Sequence, residues 1–249
     1  MAKAPIFTLD MSGKTALVIG GTAGIGNAIA QAYRALGATV HIWGTRARAE
    51  DYADLPDSDM QGLFYHRMDV SDFAAVAAWQ APFDRLDVLV QSQGIVMYGR
   101  KEFEIENFEK VLAVNLTSLM ACANKFIDML AEAKGSIAIV SSSAAFHATR
   151  GVPAYGTSKV GAMGLTKILA QTYAPRGVRV NGIAPGFVPT RLTAKTTDDE
   201  RLAQTALARI PMGRFGTCDE MAGVAVFLAS PLASYVTGQT ILADGGMLL

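Results

Sequence analysis

The sequence predicts an α/β fold in which helices cover both faces of a parallel sheet. Short β-branched runs alternate with longer helical patterns along the 249 residues, and this alternation is typical of a parallel sheet. The candidate strands are almost entirely apolar, as expected of strands that are buried on both sides. No linker, repeat or low-complexity tract interrupts the pattern. We therefore expect one domain over residues 1–249.

The elements follow one another in a regular order. "TALVI" at 15–19 predicts the first strand, a helix over 24–37 follows and ends at Gly37, and "TVHIW" at 39–43 predicts the second strand. The other candidate strands are "LFYHR", "DVLV", "SIAIVS", "VRVNGI" and "QTILA". Helical patterns lie between most of them, near 72–79, 104–133, 153–173 and 219–229.

One long segment departs from this alternation. Residues 186–214 contain two prolines and a charged middle, where "TTDDERLAQTALA" predicts a short helix with Thr197 or Asp198 as its N-cap. A segment of this length in a compact domain is often a lid or a binding loop, and a plain surface connection is the alternative. We place a substrate loop near 187–213.

Composition excludes several classes of protein. The 22 basic and 22 acidic residues balance, so the chain lacks the excess positive charge of a nucleic-acid-binding protein. The start has no apolar run of the signal-peptide kind, and the longest uncharged stretch, 135–149, is too short and too rich in serine to span a membrane. Cys122 and Cys218 form no disulfide framework or metal motif. We expect a cytoplasmic protein that binds no metal, nucleic acid or membrane.

A glycine-rich turn joins the first strand to the first helix. Gly20, Gly24 and Gly26 allow a tight turn there, and they let backbone N–H groups at the positive end of the helix dipole approach a pyrophosphate. A glycine-rich turn without a ligand is the alternative. The residues that we assign to dinucleotide binding at this turn are Gly20, Thr22, Ala23, Gly24, Ile25 and Gly26.

The end of the second strand bears on which dinucleotide binds. Gly44 stands where sites for NAD place an acidic residue for the ribose diol. Thr45 and Arg46 follow, and a hydroxyl and a guanidinium suit a 2′-phosphate better than a diol. Arg46 and Arg48 as ordinary solvated charges are the alternative. The pattern favours NADP(H) over NAD(H).

A serine, a tyrosine and a lysine form the candidate catalytic group. Ser142 ends the strand "SIAIVS", and Tyr155 and Lys159 follow at i and i+4, on one face of a helix. A tyrosine hydroxyl has a pKa of about 10 in water, and we expect the nearby ammonium to lower it. Tyr155 could then exchange a proton with a substrate oxygen during hydride transfer, while Ser142 orients that oxygen.

At this point the chain resembles the short-chain dehydrogenases/reductases, in their short single-domain branch. The resemblance runs from "SGKTALVIGGTAGIG" through "MDVSD", "AVNLTS", "IVSSSAAF" and "YGTSK" to "GQTILADGG", essentially the whole chain. It implies a Rossmann-like, doubly wound parallel sheet of about seven strands. It also implies a catalytic tetrad of Asn115, Ser142, Tyr155 and Lys159, in which the asparagine helps to hold a water that relays protons.

The resemblance implies further contacts and an assembly. Asp69 and Val70 match positions beside the adenine, and Thr45 matches a position that contacts the 2′-phosphate in NADP-dependent relatives. The remaining cofactor-binding positions that it implies are Gly94, Asn115, Tyr155, Lys159, Pro185, Gly186, Val188 and Thr190. The candidate pocket walls are Met97, Tyr98, Phe146, Val152 and Phe187, with His147 a candidate at the same place. Many family members are symmetric dimers or tetramers, and we expect a homo-oligomer here, a homotetramer or a dimer.

Three positions depart from the family's pattern without touching the tetrad. Ile19 replaces a threonine before the glycine turn, Gln93 replaces an alanine near the expected cofactor, and Ala23 stands where many NADP-dependent relatives have a basic residue. The sequence as a whole predicts an NAD(P)(H)-dependent oxidoreductase that interconverts a secondary alcohol and a ketone. A 3-oxoacyl-(acyl-carrier-protein) reductase is the leading specific alternative, and a non-catalytic dinucleotide-binding protein is the other.

Overall fold

The computed structural model describes residues 9–249, and its strands form one parallel sheet. The strands are β1 (Thr15–Ile19), β2 (Thr39–Gly44), β3 (Phe64–Arg67), β4 (Val88–Gln91), β5 (Ser136–Val140), β6 (Arg179–Pro185) and β7 (Thr240–Ala243). Their order in the sheet is β3-β2-β1-β4-β5-β6-β7. Residues 1–8, at the start where the sequence predicts no signal peptide, lie outside the described part of the chain.

The helices lie between the strands, as the alternation predicts. They are α1 (Gly24–Ala35), α2 (Phe73–Ala78), α3 (Ile105–Leu112), α4 (Ser118–Ala133), α5 (Pro153–Tyr173), α6 (Ala194–Thr197), α7 (Glu200–Leu207) and α8 (Cys218–Ala229). The long helical pattern predicted over 104–133 is two helices, because a π-helical turn over Ala113–Thr117 separates α3 from α4. Within residues 9–249, none of the helices has the length and apolar character needed to span a bilayer.

Alternate side chains of the strands enter two hydrophobic cores. On β1, Leu17 packs in one core with residues of α4 and α5, whereas Val18 packs in the other with residues of α1 and α8. Both side chains are fully buried. Successive residues of a strand point to opposite faces of a sheet, and each face here is covered by helices. The predicted doubly wound, Rossmann-like parallel sheet is therefore confirmed.

The strand order reverses direction between β1 and β4. The chain proceeds from β1 to β2 and β3 on one side, and from β4 to β7 on the other. In sheets of this kind, ligands bind in the crevice at the carboxyl ends of the strands, at the point of reversal. The glycine turn follows β1, Gly94 follows β4, Ser142 follows β5 and Pro185 ends β6. The candidate residues therefore share one edge of the sheet.

The segment after β6 contains two short helices, α6 and α7. The predicted N-cap of this region, Thr197 or Asp198, is wrong. Asp199 is the N-cap of α7, and its side chain accepts a hydrogen bond from Leu202 N at 2.9 Å. Thr197 instead ends α6 and donates to the Asp198 carboxylate at 3.0 Å. A one-turn helix therefore precedes the predicted one, and it uses the residues that could have capped it.

Candidate active site

The four predicted tetrad residues come together beside Gly94. Ser142 caps a 3₁₀ turn directly after β5, and Tyr155 and Lys159 lie in the first two turns of α5. Asn115 lies in the π-helical turn before α4. A Cβ atom at Gly94 would lie 3.7 Å from both Asn115 Oδ1 and Lys159 Nζ. Gly94 therefore lies within van der Waals reach of the polar ends of both side chains, at the end of β4.

Lys159 is buried against the end of β5. Its Nζ donates to the Val140 carbonyl at 2.9 Å and lies 5.6 Å from the centre of the Tyr155 ring. Burial lowers the pKa of Lys159 to about 8, because a low-dielectric environment disfavours the ammonium. The side chain is only 5% exposed. The lysine is therefore held at one place by the sheet, beneath the tyrosine ring.

The pKa of Tyr155 is raised above its usual value in the protein chain. Burial is the largest cause, the charges of Tyr98 and Glu102 add to it, and a hydrogen bond with Ser142 opposes them. The prediction that the Lys159 ammonium lowers this pKa is therefore wrong as a net effect. The desolvation of the phenolate outweighs the favourable contact with Ser142. Ser142 is the residue of the tetrad that stabilises the ionised tyrosine.

The Asn115 amide joins the loop after β4 to α5. Its Oδ1 accepts from Ile95 N at 2.8 Å, and its Nδ2 donates to Ile95 O at 2.9 Å and to Ser158 Oγ at 3.1 Å. Ser158 Oγ in turn donates to the Tyr155 carbonyl at 2.7 Å. Asn115 thus connects the turn that carries Gly94 with the helix turn that carries Tyr155. Its part in a proton relay stays a prediction.

The glycine turn fits the pyrophosphate of a dinucleotide. Gly20 has a φ of 75°, and a Cβ atom there would lie 2.9 Å from Gln93 N. A Cβ atom at Gly26 would overlap the Gly20 carbonyl. Ala23 is the N-cap of α1 and offers no side-chain cap, and the first turn contains no acidic residue. The positive end of this helix is therefore free of the usual side-chain partners and can attract an anion.

A segment of the chain itself lies across this turn. The Gly24 N–H donates to the Asp57 carbonyl at 2.9 Å. Asn27 of α1 holds the same segment, since its Nδ2 donates to Asp59 O at 2.8 Å and its Oδ1 accepts from Asp59 N at 2.8 Å. A Cβ atom at Gly24 would lie 3.4 Å from Asp57 Oδ2. We call residues 55–59 the covering segment.

The site predicted for the 2′-phosphate has no room for an acidic residue. A Cβ atom at Gly44 would overlap the Thr22 methyl group and lie 2.7 Å from the Tyr52 hydroxyl oxygen. Thr45 is exposed beside these groups. The Arg46 guanidinium stacks over the Tyr52 ring at 4.8 Å and donates to Asp54 Oδ1 at 2.9 Å. The basic side chain is thus present but engaged with a neighbouring carboxylate.

The residues predicted at the adenine end of the cofactor, Asp69 and Val70, and those predicted at the nicotinamide end, in the segment after β6, differ in their surroundings. Asp69 is exposed and accepts from Ser71 N at 2.9 Å, and Val70 is buried in the core. After β6, a Cβ atom at Gly186 would lie 2.7 Å from the Asp244 Cα. The Thr190 methyl group would lie 3.2 Å from a Cβ atom at Gly24. The segment Pro185–Thr190, with Val188 buried, therefore returns from β6 to the glycine turn.

Two of the departures from the family's pattern have structural explanations. The Gln93 side chain points towards α4 and donates to Ser118 Oγ at 2.9 Å. Only its backbone approaches Gly20, so the amide is part of the packing under the site. Ile19 is fully buried in the core that contains α4. Both side chains therefore point into the packed interior of the protein.

Three of the candidate pocket residues, Tyr98, Phe187 and His147, lie in different surroundings. Tyr98 is linked to the predicted substrate loop, because its hydroxyl donates to Leu192 O at 2.9 Å and Lys195 Nζ lies 4.9 Å from its ring centre. Phe187 lies instead on a cavity of about 600 Å³ with Met212 and residues of the C-terminal end. His147 is exposed, and its Nδ1 lies 3.0 Å from the neighbouring Ala148 carbonyl.

Several residues of the site were not predicted from the sequence. Tyr52 closes the pocket at Gly44, Asp57 lies at the glycine turn, and Glu102 is fully buried beside Tyr155. Each belongs to a segment without a motif. Their places depend on how loops between strands fold back over the sheet edge, which no local spacing in the chain indicates.

This fold and site define a dinucleotide-dependent oxidoreductase. The family model described as enoyl-(acyl carrier protein) reductase matches residues 20–248. The chain is 37% identical to the 3-oxoacyl-(acyl-carrier-protein) reductase of Aquifex aeolicus over 96% of this chain and 99% of that protein. It is also 37% identical to the 2-dehydro-3-deoxy-D-gluconate 5-dehydrogenase of Bacillus subtilis, over 96% of each.

Solved structures with a similar fold are also dehydrogenases. The gluconate 5-dehydrogenase of Burkholderia cenocepacia, solved with NADP and tartrate, has a TM-score of 0.87 and 27% identity over 97% of this chain and 98% of that one. The protein therefore belongs to the short-chain dehydrogenase/reductase family. It is an NAD(P)-dependent oxidoreductase that interconverts a secondary alcohol and a ketone.

Proposed function

We propose that Tyr155 is the acid/base of this reaction and that the enzyme prefers NADP(H). The observation that carries the proposal is the convergence of Ser142, Tyr155, Lys159 and Asn115 at the ends of β4 and β5, next to a glycine turn without a side-chain cap. Preference for NADP(H) is supported by Arg46 and by the packing at Gly44, which leaves no room for the acid that would bind a ribose diol.

Ser142, Tyr155 and Lys159 have different roles in the proposed proton transfer. Ser142 lowers the pKa of the tyrosine hydroxyl against the effect of burial and can hold the substrate oxygen at the same point. Tyr155 gives its proton to that oxygen in reduction and accepts it in oxidation. Lys159 is held under the ring by Val140 O and offers donors for a ribose. A bound nicotinamide supplies or accepts the hydride.

Replacing the tyrosine tests this assignment. We expect Tyr155→Phe to lower turnover by about 100-fold or more, since a positioned acid/base contributes on that order. The dissociation constant for NADPH, measured by fluorescence titration, stays close to the wild-type value. Tyr173→Phe is the matched control: it lies in the same helix, and its hydroxyl bonds Asn124 at 3.2 Å, at the far end from the site. Near-normal turnover of Tyr155→Phe contradicts the assignment.

Two groups of relatives suggest two candidate classes of substrate. The Aquifex relative is named for a 3-oxoacyl thioester, and the Bacillus and Burkholderia relatives are named for sugar acids. Lys195 beside Tyr98 places a cation at the substrate loop that we propose near 187–213, and it favours a substrate with a carboxylate. A panel of 3-ketoacyl thioesters and keto sugar acids with NADPH decides between the two.

We propose that the protein is a cytoplasmic homo-oligomer, because two of its helices carry exposed apolar side chains and its cysteines are unpaired. Apolar side chains on α4 and α5 are exposed to 38% at Met120, 48% at Val160 and 61% at Ile168. Two helices with exposed apolar side chains suit contact with a second copy, in a homotetramer or a dimer. Cys122 and Cys218 are free, which suits the cytoplasm.

A further inference from the structure

Glu102 is a fully buried carboxylate close to the catalytic residues. It lies in the short 3₁₀ helix Lys101–Phe103, between β4 and α3, and its side chain is 0% exposed. An acidic side chain is rarely buried completely unless its oxygens have partners, because desolvation of the charge is costly. The sequence contains no motif at this position.

Both oxygens of Glu102 accept hydrogen bonds from backbone N–H groups. Oε1 accepts from Met97 N at 2.9 Å, and Oε2 accepts from Tyr155 N at 2.9 Å. Tyr155 is in the first turn of α5, where N–H groups have no partner within the helix. The N-cap residue Val152 provides no side-chain cap. Glu102 therefore caps α5 from another segment of the chain and ties it to the loop at Met97.

The same carboxylate acts through its charge on the ionisation of Tyr155. The titratable groups around this side chain are Tyr98 from the loop after β4, Glu102 from the 3₁₀ helix and Lys159 from α5, whose Nζ lies 5.6 Å from the ring centre. After burial, the charges of Tyr98 and Glu102 raise the pKa of Tyr155. The carboxylate thus holds the tyrosine backbone in place and makes ionisation of the side chain less favourable.

We propose that Glu102 is a positioning residue for proton transfer. It fixes the first turn of α5 and the loop at Met97 in one arrangement, and it sets the charge around the Tyr155 hydroxyl. This inference rests on the proposed function, in which Tyr155 is the acid/base. Because its charge raises the pKa of Tyr155, the carboxylate keeps the tyrosine protonated when no substrate is bound.

Two substitutions test the charge of Glu102 and its reach. Glu102→Gln removes the charge and also one of the two acceptors, because an amide NH2 cannot accept from a backbone N–H. The effect of the charge is therefore read from the pH profile: we expect the limb of the kcat/KM profile that belongs to Tyr155 to move to lower pH, by on the order of one pH unit. Glu102→Asp keeps the charge, but its shorter side chain cannot serve both N–H groups. We expect it to lower kcat several-fold and to leave that limb in place.

The control is Glu106→Gln, which removes one negative charge from an exposed position at the start of α3 and leaves the profile unchanged. A Glu102→Gln enzyme with the wild-type profile overturns the inference, even if its melting temperature falls. If Glu102→Gln does not fold, wild-type kcat in Glu102→Asp overturns it. Failure of the proposed function is distinct, because it appears as turnover retained by Tyr155→Phe.

Discussion

The preference for NADP(H) that we propose depends on a few side chains around Gly44. The backbone at this glycine is closed off by Thr22 and Tyr52, and Arg46 lies on the Tyr52 ring. The Arg46 guanidinium also donates to the Asp51 carbonyl and pairs with Asp54. An exposed pair of this kind is weak, so a 2′-phosphate can compete with Asp54 for the guanidinium.

We expect Asp54→Asn to tighten NADPH binding, because it releases Arg46 for the phosphate. The change should be about threefold to tenfold for NADPH and near zero for NADH, as measured by fluorescence titration of each cofactor. Arg46→Ala should act in the opposite direction, again on NADPH alone. Arg48→Ala, an exposed charge paired with Asp51, serves as the control. Equal effects of Arg46→Ala on both cofactors contradict the NADP(H) preference.

The covering segment, residues 55–59, contacts the element that carries the glycine turn. It connects β2 to β3, and it lies on the start of α1 through Gly24 N and Asn27. Asp57 Oδ1 is buried without a hydrogen-bond partner among residues 9–249. The Asp57 charge also adds to burial in raising the pKa of Cys218, the first residue of α8, to about 11. The carboxylate therefore lies near two helix N-termini that attract anions.

We expect Asp57→Asn to strengthen dinucleotide binding several-fold, because a carboxylate at the start of α1 repels a pyrophosphate. The substitution leaves the Asp57 carbonyl in place, so the bond to Gly24 N can persist. Dissociation constants for NADPH and NADH, measured at low and high salt, report the effect, which high salt should reduce. Asp84→Asn is the remote control. Unchanged or weaker binding by Asp57→Asn would show that the carboxylate does not oppose the cofactor.

A histidine pair at the edge of the sheet links the stability of the whole molecule to pH. His41 Nδ1 and His66 Nε2 lie 2.9 Å apart on β2 and β3, and His41 packs between the Phe64 and Phe83 rings. Burial and then the charge of His66 lower the pKa of His41 to about 4. Both rings favour the neutral form in the folded protein.

Acid should therefore destabilise the fold. An unfolded histidine takes up a proton below about pH 6.5, whereas folded His41 does so only below about 4. Between these values the unfolded state binds more protons, so the free energy of unfolding falls as the pH falls, by up to about 3 kcal/mol. Urea unfolding at each pH measures the slope. His41→Phe should flatten it, whereas exposed His147→Gln should not; an unchanged slope in His41→Phe contradicts this account.

Local patterns in the chain are sufficient to predict the sheet and the position of the glycine turn, and they single out the serine, tyrosine and lysine that we propose as catalytic. Apolar runs and helical spacing report burial directly, and an i, i+4 pair such as Tyr155 and Lys159 must share a helix face. The same patterns misplace the N-cap of α7 and miss the π-helical turn at Asn115, because both depend on which of several adequate residues the backbone uses.

Only the tertiary structure determines the surroundings of those residues. Glu102 reaches Tyr155 N and Asp57 reaches Gly24, each from a segment far away in the chain, and Tyr52 closes the space at Gly44 because the segment after β2 folds back over the strand end. The direction of the Tyr155 pKa shift likewise follows from burial and not from the nearby lysine. The physical reason is that desolvation and charge act through space, and proximity in space between distant segments is created by the fold as a whole.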